Sequence, residues 1–137
     1  MNSEALHDIA ASFATPAFIF DADEFGRRAK NVKSTIGGAA LCYSIKANPF
    51  LLACFPEEID RVEVCSPGEL AICRRVGFDP STVVYSGVNK GSEDIAEAIE
   101  YGAELLTAES LRQLGLINAA ALAAGKRVRV ALRLTSG

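Results

Sequence analysis

Short apolar runs alternate along this chain with longer stretches in which apolar residues return every third or fourth position. The first kind of pattern fits a buried strand and the second an amphipathic helix. Pro16 to Phe20 (PAFIF) predicts a strand. Asp21 then caps a helix, with Glu24 three residues on as its capping-box partner. Phe25, Ala29, Val32 and Ile36 form its apolar face, and Gly37 and Gly38 end it. Ala39 to Ile45 predicts a second strand, stopped at Asn48-Pro49, and Phe50 to Phe55 a helical turn or two. Arg61 to Cys65 is the next strand, and Ser66-Pro67-Gly68-Glu69 opens a helix to about Val76. Thr82 to Tyr85 predicts a strand, and Ser92 caps a helix through Tyr101. Glu104 to Thr107 predicts a strand. Ser110 and Gln113 cap a helix with Leu111, Leu114, Ile117 and Ala121 inward, and Arg127 to Leu134 predicts the last strand.

After PAFIF, these strands begin near positions 39, 61, 82, 104 and 127. Each interval holds one strand, one helix and two loops, which is a βα unit. Near-equal units in series point to an α/β fold of (β/α)8 barrel type. A doubly wound sheet is the alternative, because spacing does not reveal strand order. A full barrel has eight strands in about 250 residues, and five are placed here. The expectation is therefore that residues 1–137 are the N-terminal part of a barrel domain. Alone, that part leaves sheet edges and an interior face uncovered, which invites self-association.

Composition narrows the function classes. Half of the residues are hydrophobic and 23% charged, as in globular domains. The 14 basic and 17 acidic side chains leave a net charge of −3, without the basic face a nucleic-acid partner needs. No apolar run reaches the roughly 18 residues of a membrane span, and Met1 to Ala14 lacks the basic start of a secretory signal. A cytoplasmic protein is expected. The four cysteines, Cys42, Cys54, Cys65 and Cys73, form no C-x-x-C pair, and His7 is the only histidine. A zinc site is not expected from that donor set; the cysteines read as small buried hydrophobes.

Barrel enzymes place their chemistry at the C-terminal ends of the strands. Those positions are polar here: Lys46; Glu63, Ser66 and Glu69; Ser86, Asn89 and Lys90; Glu109 and Ser110; and Arg133. Lys46 directly follows an apolar strand, where desolvation can free an amine for nucleophilic chemistry. Read without context it is more simply a solvated loop lysine, since most lysines are exposed. Lys90 reads as a solvated loop charge, and Ser66 and Glu69 as a capping box.

Tyr43-Ser44-Ile45-Lys46-Ala47-Asn48-Pro49 resembles the cofactor-lysine motif of the fold-type III decarboxylases that depend on pyridoxal phosphate (PLP). These act on diaminopimelate, ornithine, arginine and related amino acids. Thr15 to Asp21, Glu63 to Leu70, Val83 to Lys90, Thr107 to Ser110 and Arg129 to Leu134 resemble further segments of that family, in the family's order. The resemblance implies PLP as cofactor, Lys46 as its Schiff-base lysine and Arg133 near it. Glu63 stands where the family has an active-site Asp, one methylene shorter, and Glu69 and Ser66 stand at site-lining positions. Ser44 replaces the usual Ala.

The resemblance also implies a homodimer. The pyridine partner, glycine-rich phosphate loop and ring histidine come from later strands, and other site groups from the partner's C-terminal β-domain. None can be assigned within these residues, so the chain alone is expected to have no appreciable decarboxylase activity. Three rivals remain. An alanine racemase-like enzyme has a histidine after its lysine motif, where Pro49-Phe50-Leu51 stands here. A non-catalytic PLP-binding protein and an inactive fragment or interaction domain are the others. The substrate is not legible.

Overall fold

A computed structural model of the protein describes residues 3–134. Five strands, β1 (Cys42–Ser44), β2 (Arg61–Val64), β3 (Val83–Tyr85), β4 (Leu105–Ala108) and β5 (Arg129–Leu132), form one sheet. All neighbouring pairs are parallel, and the spatial order is the chain order, β1-β2-β3-β4-β5. A doubly wound sheet reverses direction at a switch point. This sheet never does, so each βα unit adds its strand beside the last, as in a barrel.

Five α-helices accompany the sheet: α1 (Ser3–Ser12), α2 (Ala22–Thr35), α3 (Pro67–Arg75), α4 (Ser92–Tyr101) and α5 (Leu111–Ala123). Alternation along the strands divides the sheet into two faces. Val62, Val64, Val83, Tyr85, Leu106 and Ala108 are buried on one face. They share a core with Leu70 and Cys73 of α3, Ile95, Ala98 and Ile99 of α4, and Ile117 and Ala121 of α5. Each fully buried aliphatic side chain there stabilises the fold by about 1.5–3 kcal/mol relative to an exposed one. The opposite face carries Ser44, Arg61, Glu63, Val84, Leu105 and Thr107, all partly exposed. There Glu104 binds Arg61 through two hydrogen bonds of 2.6 and 2.8 Å and Arg129 through one of 2.7 Å, tying β2 to β5 across the sheet.

Several elements depart from the sequence expectation. PAFIF forms no strand: residues 16–20 are unpaired, and Phe18 is fully exposed. Its apolar character serves another purpose at Phe20, which packs edge-on against Phe25 at the start of an aromatic chain through Tyr43, Phe55 and Phe78. Helix α1 carried no sequence expectation. The first barrel strand starts at Cys42 rather than Ala39, because side chains hold the backbone before it. Asp60 accepts from Leu41 N at 2.6 Å, and Lys33 Nζ donates to the Ala39 carbonyl at 3.1 Å. β5 likewise is shorter than expected. Gly91, not Ser92, is the N-cap of α4, with its N–H donated to Asp94 at 2.8 Å. On the two helix faces, Val32 and Leu111 are exposed. Of the cysteines only Cys73 is buried; Cys42 and Cys54 are exposed and Cys65 is intermediate.

Candidate active site

The polar residues named from sequence gather where the strands end. β1 gives way at once to a 3₁₀ turn, Ile45–Ala47, in which Ile45 is fully buried and Lys46 exposed. Buried Ile45 thus anchors the turn that presents the lysine. Lys46 itself is exposed, as a solvated loop lysine would be, rather than desolvated by its apolar neighbours. Among the described residues no hydrogen bond or ion pair engages its amine.

Ser44 and Glu63 are register partners across β1 and β2. Glu63 accepts a hydrogen bond from the Ser86 hydroxyl. That bond holds the Glu63 carboxyl below the ordinary carboxylate range against the opposing effect of partial burial. Ser44, Lys46 and Arg133 act in the same direction, although the buried Ser44 hydroxyl closes no hydrogen bond of ordinary geometry. The two cations follow the strands at opposite edges of the sheet, Lys46 after β1 and Arg133 after β5, and both favour the ionised form of Glu63. Arg133 extends the ladder through its N–H to the Ala108 carbonyl (2.9 Å) and is paired with Glu109 at 3.2 Å, with its side chain still exposed.

Ser66 and Glu69 are committed to a local structure. Ser66 Oγ accepts from Glu69 N and donates to Glu69 Oε1, both at 3.2 Å, while Glu69 Oε2 accepts from Cys65 N at 2.8 Å. The capping box at the start of α3 therefore reaches one residue further back than expected. The same wiring recurs at α5, where Ser110 Oγ accepts from Gln113 N and Gln113 Oε1 accepts from Glu109 N. Two strand-to-helix turns are fixed in one way, each with the backbone N–H before the cap held by the N3 side chain.

Lys90 is not a solvated loop charge. It is 5% exposed, donating to the Gly87 carbonyl and to Thr107 Oγ1 (3.3 Å), with Nζ 5.7 Å from the centre of the Tyr85 ring. Burial lowers its pKa, and Glu109 opposes that shift. Local pattern does not signal this, because a loop position after a strand is usually wet. Ser86, 9% exposed, is the other residue whose part was missed. Only the pleat register that brings β3 beside Glu63 reveals it.

A sequential parallel sheet with an exposed lysine, a carboxylate and a guanidinium at its C-terminal edge defines part of a (β/α) barrel. The family model described as "Pyridoxal-dependent decarboxylase, pyridoxal binding domain" matches residues 22–137. Diaminopimelate decarboxylase of Aquifex aeolicus is 28% identical over 95% of this chain, and that of Zymomonas mobilis 31% identical over 94%. The crystal structure of Helicobacter pylori diaminopimelate decarboxylase complexed with L-lysine superposes with a TM-score of 0.75, at 25% identity, over 97% of this chain and 34% of its own. The chain belongs to the pyridoxal-dependent decarboxylases, within their pyridoxal binding domain. It spans about a third of the length of these curated relatives.

The cofactor of this domain is pyridoxal phosphate. The residues present fit it. An unpaired primary amine stands at a strand end, the neighbouring carboxylate favours positive charge beside it, and Ser44 keeps a buried hydroxyl without a partner.

Proposed function

We propose that this chain is the lysine-bearing part of an enzyme that decarboxylates an α-amino acid of the diaminopimelate or ornithine type. Lys46 is the residue that anchors PLP, and Glu63, Ser66, Glu69 and Arg133 line the cofactor's side of the site. When bound, PLP accepts the electron pair left as the bond from Cα to carboxylate breaks. Lys46 supplies the amine that holds the cofactor at the strand ends. Glu63 stays ionised and stabilises positive charge beside it. Arg133, steadied by Glu109, supplies a fixed cation on the far edge. Ser66 and Glu69 lock the β2–α3 turn, so the strand end that carries Glu63 does not drift. Residues 1–137 are read as the N-terminal part of the barrel domain of a cytoplasmic homodimer. No described helix is long and apolar enough to cross a membrane.

The observation that supports this reading is that Lys46, Glu63 and Arg133 all stand at the C-terminal ends of strands in one barrel-order parallel sheet. The test uses the full-length protein loaded with PLP. Borohydride reduction followed by peptide mapping is expected to place the label on Lys46, and Lys46→Ala to lose the bound cofactor's visible band. Carbon dioxide release is then measured with meso-diaminopimelate, ornithine, lysine and arginine. A label on another residue, or a band that survives in Lys46→Ala, refutes the anchor; release from none of these substrates refutes the activity.

A further inference from the structure

We propose that Ser86 is a positioning residue for Glu63, its hydroxyl holding the carboxylate on the β2–β3 side of the site, facing Lys46 and Arg133. The inference rests on the reading of Lys46 as the cofactor anchor. It begins with Gly87. A Cβ at that position would lie 2.8 Å from the Cys65 carbonyl carbon and closer still to its oxygen. The backbones leaving β2 and β3 therefore touch, and only glycine permits it. The contact draws Ser86 N onto the Val64 carbonyl at 2.8 Å and leaves Ser86 9% exposed.

Ser86 Oγ then sits between two groups, the Glu63 carboxylate and Cys65 Sγ at 3.5 Å. A hydroxyl has one proton to give. An ionised carboxylate can only accept, so that proton goes to Glu63, and the hydroxyl oxygen is left to accept from the Cys65 thiol. The order Cys65 S–H to Ser86 O–H to Glu63 is fixed by chemistry, and it fixes where the carboxylate points. Glu63 is one methylene longer than aspartate. That added reach is what Ser86 takes up, turning a flexible side chain into one held from the neighbouring strand.

The groups facing Glu63 are Ser44 and Lys46 from β1 and its turn, Cys42 lower on β1, Ser86 after β3 and Arg133 after β5. Ser86 makes the largest contribution to keeping Glu63 ionised.

The test follows the side-chain carboxyl of Glu63 by 13C NMR in the cofactor-free full-length protein labelled at glutamate, with Glu63→Gln assigning the signal. In Ser86→Ala the titration midpoint is expected to move up, and Ser86→Thr, which keeps the hydroxyl, to restore it. In the PLP-loaded protein the acid limb of the kcat profile moves up with it. At a pH below both midpoints kcat falls about ten-fold, the scale of one hydrogen bond to a charge. If Ser86→Ala does not fold, Ser86→Cys, of similar size and with a weaker donor, must show a rise in the same direction. A midpoint that stays put in the folded variant overturns the proposal. Because the titration is read without cofactor, it stands or falls separately from Lys46, whose own failure would appear as a cofactor band surviving in Lys46→Ala.

Discussion

Replacing Gly87 by alanine tests the contact on which the site's geometry depends. The new Cβ would stand 2.8 Å from the Cys65 carbonyl carbon, with the oxygen nearer. Relief requires the β2 and β3 exits to part by about 1 Å, and such overpacking costs about 1–3 kcal/mol. That movement carries the bond from Ser86 N to the Val64 carbonyl, now 2.8 Å, out of hydrogen-bonding range, a further loss of about 1 kcal/mol. Alanine returns about 0.5 kcal/mol by restricting the unfolded chain. The net expectation is a destabilisation of about 2.5 kcal/mol, a fall in the urea midpoint of about 1.2 M for a slope of about 2 kcal/mol per M. Gly115 serves as the internal control. It lies exposed within α5, and a Cβ there meets nothing within 4 Å. Gly115→Ala should raise stability by about 0.5–1 kcal/mol. If Gly87→Ala unfolds within about 0.2 M of the wild type, beyond which the midpoint shift is easily measured, the close crossing of β2 and β3 is refuted.

The other predictions concern charge. Lys90 has a pKa lowered below the ordinary 10.5, so the folded state binds its proton less readily than the unfolded state. Stability should therefore rise with pH between the lowered value and 10.5, and Lys90→Met should flatten that rise in urea titrations across the alkaline range. Glu104 serves both Arg61 and Arg129, so Glu104→Gln should lower the urea midpoint. Added salt should narrow the difference from wild type, because these groups are partly open to solvent. Glu63 is shifted the other way. Its contribution to stability is present above the ordinary carboxylate value and is lost as pH falls through its lowered one, so acid unfolding of Glu63→Gln should be less steep than that of the wild type.

Much of the fold was legible in the order of residues. Periodicity located β2, β3, β4 and helices α2 to α5 within a few positions, since a half-buried element must repeat with its own geometry. Ser66, Glu69, Ser110 and Gln113 announced two helix starts, because unpaired N–H groups there need a side-chain acceptor. Lys46, Glu63 and Arg133 were found because each ends a strand. PAFIF misled because an apolar run of five does not say whether its partner is a strand or an aromatic cluster. Asn48 and Pro49 marked the end of β1, but the backbone before Cys42 was taken from the ladder by Asp60 and Lys33, from elsewhere in the chain.

The sequence by itself determined which segments pair their backbones locally, where they stop, and which polar residues stand at the strand ends. Those are properties of spacing and of single residue types. The tertiary structure alone decided that the strands lie in chain order, that Lys90 is buried and Lys46 exposed, and that Ser86 grips Glu63. Each depends on distances between residues far apart in the chain, such as the contact at Gly87, which no local pattern encodes.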